Sequence, residues 1–104
     1  MQDIGARRLA AAVLLQAIKD LTNSYRIVRG GKPVKHMGMA NARYMEQMRR
    51  YNEAQNFIYE LEKFFRSGEF SLYADAIDFN VDGMTIIKRC RLGGYRMRSV
   101  LRKF

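Results

Sequence analysis

The chain is poor in residues that staple, kink or catalyse. Its 104 residues include one cysteine, one proline, one histidine and no tryptophan. A lone Cys90 cannot close an intramolecular disulfide, which excludes a cystine-stapled scaffold and suits a reducing compartment. Proline occurs once, at Pro33, and glycine is not unusually frequent, so wholesale disorder is not expected. No apolar run approaches the roughly 18 residues that would span a bilayer. "ARRLAAAVLLQAIKDL" begins basic and turns apolar, but Gln16, Lys19 and Asp20 break the run, so it reads as an amphipathic helix rather than a leader. The expectation is a soluble, intracellular chain with no membrane partner.

Catalytic and metal-binding constellations are equally sparse. His36 stands in a loop rich in Lys, Met and Gly, where it reads as a solvated or phosphate-touching side chain rather than a general base. Neither CxxC nor HExxH spacing occurs, and "GGK" at 30–32 lacks the GxxxxGK[ST] spacing of a phosphate loop. Asp75, Asp78 and Asp82 recur at helical intervals that can gather carboxylates around Mg²⁺, yet acidic helix surface and capping account for them more simply. Cys90 reads as packing, although Lys88, Arg89 and Arg91 would lower its pKa if it were exposed. The expectation is no enzyme, no cofactor and no metal.

What the chain does have is segregated charge. The formal net charge is +9. Residues 26–50 carry seven Lys/Arg against one Glu, residues 53–82 seven Asp/Glu against two Lys/Arg, and residues 84–104 seven Lys/Arg and no acid. Two basic blocks around an acidic one imply a basic surface for a polyanion, with intramolecular pairing between blocks as the bland alternative.

The apolar pattern is helical almost throughout. Ile4, Ala11, Leu14, Ile18, Leu21 and Tyr25 make one stripe over 3–25, and the alanines beside it should let another helix approach closely. "RIVRGGKPVKHMG", 26–38, reads as a mobile basic loop or, across Gly30-Gly31, a small hairpin. A long central helix follows over 39–66, marked by Tyr44, Met48, Tyr51, Ala54, Ile58, Leu61 and Phe65. Asn52-Glu53-Ala54-Gln55 resembles a capping box, where this helix can restart or kink. Met37, Met39, Met45 and Met48 read as fillers of an irregular core before they read as a partner surface. Ser67 is the expected N-cap of a helix over 68–78 with Phe70, Tyr73 or Ala74, and Ile77 inward. Asn80 is the expected cap of the next helix, with Asp82 placed favourably near its N-terminus. There Met84, Ile86, Ile87 and Cys90 share one arc, while Asp82, Thr85, Lys88 and Arg89 share the other and Arg91 lies at the border. Gly93-Gly94 closes it, and 93–104 forms a basic C-terminal helix or tail.

Two short helices joined by "DFN", the second exposing Thr85, Lys88 and Arg89, have helix-turn-helix proportions. Lys and Arg read guanine edges or neutralise phosphates. Arg91, Arg96, Arg98, Arg102 and Lys103 would add phosphate contacts, and the basic loop, through Arg26, Arg29, Lys32 and Lys35, would follow the backbone as a flexible arm. Against this, Asp82 at the start of the reading helix repels phosphate and the joint lacks a turn glycine, so the alternative is a helical hairpin that only closes the core. A sheet-type RNA-binding motif is missing, and Tyr25, Tyr59 and Tyr95 are the residues available for stacking.

"LLQAIKDL" followed by "ELEKFFRSGEFSLYADAIDFNVDGMTIIKRCRL" resembles a group of small phage and prophage helical proteins, in which an alanine-rich LQAxxD helix precedes FFxSxxF and a short C-terminal helical pair. The likeness spans 9–21 and 58–92 and rests on the spacing of Phe64, Phe65, Ser67, Phe70, Asn80, Ile87 and Arg91. It implies structural roles for Ser67, Phe70 and Asn80, and a bacterial host cytoplasm as the setting. The basic loop and the arginine-rich C-terminus depart from the group. A phage origin also raises a second class of function, binding and blocking a host machine.

The expectation is therefore one all-α domain over 1–104 of four to five helices, with a long central helix and a helix-turn-helix-like C-terminal pair. Its expected function is non-catalytic DNA binding, of the transcriptional-regulator kind, with duplex DNA as partner. The alternative is inhibition of a host defence or transcription complex that handles nucleic acid. Symmetric DNA recognition would favour a homodimer, which the sequence does not establish.

Overall fold

Alanine and serine on one stripe let two long helices come close, and the fold is built on that contact. A computed structural model describes residues 4–93. Among them are four helices and no strand: α1 (Ile4–Arg29), α2 (Asn41–Phe65), α3 (Gly68–Ala76) and α4 (Gly83–Arg91). This is a small all-α fold. α1 packs against each of the other three, and α3 and α4 pack chiefly on α1 and α2 rather than on one another.

The core lies at one end of the α1–α2 pair. Leu14, Ile18 and Leu21 of α1 meet Phe65 of α2, Phe70 and Ala74 of α3, Ile77 after it, and Ile86, Ile87 and Cys90 of α4. Each large apolar side chain sealed there contributes about 1.5–3 kcal/mol relative to exposure. Phe64, Phe65 and Phe70 stack edge-on, with ring centroids 5.2–6.2 Å apart. The first half of α2 buries nothing until Ala54, which faces the same inter-helix gap as the buried Ser24 of α1. The α1–α2 pair thus extends beyond the core as a two-helix arm, and the connection over 30–40 caps its tip.

Several expectations need correction. α1 runs through Arg29, so Arg26 and Arg29 stand on its last turn, not in a loop, and 26–29 forms no arm of a hairpin. Ile27 and Val28 are half-buried and extend the packing face, while Arg26 and Arg29 suit the negative end of the helix dipole. α2 passes through Asn52-Glu53-Ala54-Gln55 without a break; Arg49 bonds Glu53 at 2.6 Å, one turn on, and Ala54 is needed in the interface. Ser67 has extended N-cap backbone, but its hydroxyl donates back to the Phe64 carbonyl at 2.7 Å instead of capping α3. α3 ends at Ala76, and Asp78 adopts the left-handed region at φ 55° to turn the chain. Asp82, not Asn80, caps α4, accepting the Thr85 amide at 2.8 Å. Met84 is 46% exposed and leaves the apolar arc, whose place at the first turn Gly83 takes. Met37 and Met45 are exposed rather than core fillers.

Candidate nucleic-acid interface

Burial of Ile86, Ile87 and Cys90 fixes the roll of α4 and turns Lys88 and Arg89 to water. The amphipathic period leaves no other solution in nine residues. The two ends of this helix differ in sign. At the N-terminus the Asp82 carboxylate accepts hydrogen bonds from Thr85, which hold it below its ordinary range and so keep it ionised. Thr85 is half-buried there, less than one turn before Lys88. At the C-terminus Lys88, Arg89 and Arg91 share the last turn.

That basic end is joined to α1. Arg29 Nη2 donates to the Arg91 carbonyl at 2.6 Å, satisfying one of the acceptors that a helix end leaves open. The contact brings together the last turn of α1, which bears Arg26 and Arg29, and the last turn of α4, which bears Lys88 and Arg89. Arg91 is held differently. Its guanidinium lies 5.6 Å from the Tyr25 ring centroid, 3.4 Å from the Tyr25 hydroxyl and 3.5 Å from Glu62. Tyr25 in turn donates to Glu62, and burial followed by this carboxylate pushes the phenol pKa up. Arg91 and Tyr25 therefore tie α4, α1 and α2 together, and Glu62, which also pairs with Arg66 at 3.2 Å, lies within ion-pair range of Arg91. Tyr25 is committed to this contact instead of standing free to stack, whereas Tyr59 is 68% exposed.

The remaining expected residues divide. Lys32 projects from the connection over 30–40; Lys35 donates to Asn41 and fastens that connection to the start of α2. Arg96, Arg98, Arg102 and Lys103 lie outside the described residues. Of the three aspartates at helical spacing, Asp78 pairs with Arg7 at 3.6 Å and Asp82 caps α4. No three His, Cys, Asp or Glu side chains converge among the described residues. Cys90 is fully buried with its thiol pKa raised by desolvation, so its basic neighbours do not activate it.

Sequence reasoning passed over two cations. Arg43 and Arg50 of α2 flank a groove of about 630 Å³ beneath the connection, which Lys32 and His36 also line. Their signal was present: from 21 to 45 the chain has five Lys/Arg and no acid, and Arg43 and Arg50 stand seven apart on one helix face.

Comparison of the chain with protein-family models, with characterised proteins and with solved structures finds no match.

Proposed function

We propose that this chain is a non-catalytic DNA-binding protein of phage or prophage type, and that it holds duplex DNA on the joined basic ends of α1 and α4. The observation that carries the reading is the Arg29–Arg91 contact, which joins the last turn of α1, bearing Arg26 and Arg29, to the last turn of α4, bearing Lys88 and Arg89. Phosphates are the natural ligands of such a surface, because releasing their counterions drives binding whatever the base sequence. The acidic cap at Asp82 turns the N-terminus of α4 away from the backbone, so the C-terminal half of this helix makes the approach. Lys88 and Arg89 are the residues assigned to the groove, with Arg26 and Arg29 on phosphate. A transcriptional-regulator role adds the requirement of sequence preference, which a footprint on one site would reveal. Charge reversal in Lys88→Glu/Arg89→Glu tests the reading. Retention on duplex DNA should be lost while far-ultraviolet circular dichroism stays unchanged; full retention by the variant would overturn the assignment.

A second reading has its own observation. Met37 is wholly exposed and Met45 64% exposed, adaptable apolar side chains set among cations. These are suited to docking on a host protein that handles nucleic acid, as an inhibitor would. Stable co-purification of one host protein from nuclease-treated lysate, with only weak salt-sensitive DNA retention, would favour inhibition. A saturable footprint on DNA would exclude it.

A further inference from the structure

The tip of the two-helix arm carries a second basic feature, a groove that begins where α1 ends, next to Arg29 of the α1–α4 junction. Gly31 takes φ +90°, which only glycine adopts freely, and starts the connection across the end of α1 towards the start of α2. Beneath it lies the groove of about 630 Å³. Its walls carry Lys32, His36, Arg43 and Arg50, and no carboxylate belongs to its lining. The nearby acids are engaged elsewhere. Arg49 bonds Glu46 at 2.5 Å and Glu53 at 2.6 Å, occupying both carboxylates of this part of α2. Glu46 is accordingly held below its ordinary range, first by Arg49. Arg43 and Arg50 are left exposed with no ion pair to any described residue, and Glu46, one turn from Arg50, acts on it only at longer range.

Spacing and shape indicate what fits. Arg43 and Arg50 lie about 10.5 Å apart along the α2 axis at 1.5 Å per residue. Laid along the duplex axis, that distance spans about three phosphate steps of one strand, at 3.4 Å of rise each. Lys32 faces them across the groove from a glycine-flanked segment whose backbone has no Cβ at Gly30 or Gly31 to hold a ligand away. An open, acid-free trough of this kind suits a continuous run of phosphates better than one small enclosed anion.

We propose that this groove is a phosphodiester-backbone clamp, in which Arg43 and Arg50 hold phosphates about three steps apart on one strand and Lys32 closes over the stretch between them. The proposal rests on the DNA-binding reading and adds a second contact to it, at the far end of the arm from the core.

Fluorescence anisotropy on a labelled 20-base-pair duplex, at several salt concentrations, tests it with three proteins: wild type, Arg43→Gln/Arg50→Gln and Lys88→Gln/Arg89→Gln. Losing two phosphate contacts should reduce the slope of log K against log salt by about 1.8 and weaken binding roughly 60-fold at 0.1 M salt. An Arg43→Gln/Arg50→Gln variant that binds as wild type overturns the clamp, while the Lys88/Arg89 variant separately decides the α4 surface. Loss in the clamp variant alone supports the clamp and removes α4 from the interface. Wild type that fails to bind at 0.05 M salt overturns both. If the Arg43/Arg50 variant loses helicity, amide shifts in wild type decide instead. Perturbation of Gly30, Gly31 and Lys32 on adding the duplex supports the clamp, and still amides there overturn it.

Discussion

Gly83→Ala tests how α4 is seated, and with it the surface that α4 presents. A Cβ at Gly83 would lie 1.7 Å from the Phe65 carbonyl oxygen and 2.7 Å from its carbonyl carbon. The obstacle is backbone at the end of α2, directly beside the core, so no side-chain rotation relieves it. Overpacking costs about 1–3 kcal/mol where side chains can yield, and a backbone clash belongs at the upper end. The substitution also brings a gain, because alanine is favoured over glycine in a helix by up to about 1 kcal/mol. Gly83 is not among the positive-φ glycines, so alanine meets no backbone strain there. The net expectation is a loss of about 2 kcal/mol, or roughly 10 °C in Tm for a domain of this size. Gly68→Ala is the matched control: it too begins a nine-residue helix, and nothing lies within 4 Å of its added Cβ. Thermal unfolding followed at 222 nm should show Gly68→Ala equal to or above wild type and Gly83→Ala well below. A Gly83→Ala protein as stable as wild type would refute the packing of α4 against Phe65.

Three further outcomes follow from the same geometry. Tyr25→Phe removes the hydroxyl shared by Glu62 and Arg91, and should cost about 1–2 kcal/mol in urea unfolding while leaving the helices intact. Asp82 has a folded-state pKa below its ordinary value, so its stabilisation is present above that value and is lost as pH falls through the folded pKa. Asp82→Ala should therefore lower Tm at pH 7, and the difference from wild type should narrow in strong acid; a pH-independent difference would count against the cap. Because Cys90 is buried and its pKa raised, a thiol reagent at neutral pH should label it far more slowly in folded protein than in denaturant. Equal rates would place the thiol at the surface.

The helical fold was legible because its signal is periodic: Leu14, Ile18 and Leu21 on α1, Phe70, Ala74 and Ile77 around α3, and Ile86, Ile87 and Cys90 on α4 all occupy the buried positions that their spacing assigns. Ends were less legible, since they depend on contacts distant in sequence. The Gly30-Gly31 pair and β-branched Ile27 and Val28 drew the boundary of α1 too early, whereas packing on α2 carries the helix to Arg29. Asn80 and Asp82 are both competent caps, and Phe65 decides between them by admitting only glycine at the first helical position. The outward face of α4 was readable from periodicity. Its junction with α1 was not, because the Arg29–Arg91 bond joins residues 62 apart in the sequence. Arg43 and Arg50 escaped notice for a related reason: on a long helix they look like solvated surface, and the connection that turns that surface into a groove is set by the fold.

The most direct measurement is the salt dependence of wild-type affinity for duplex DNA. If Arg26, Arg29, Lys88 and Arg89 each displace a counterion, log K should fall against log salt with a slope of roughly −3.6 or steeper. A slope near zero, or no saturable binding at low salt, would contradict the account.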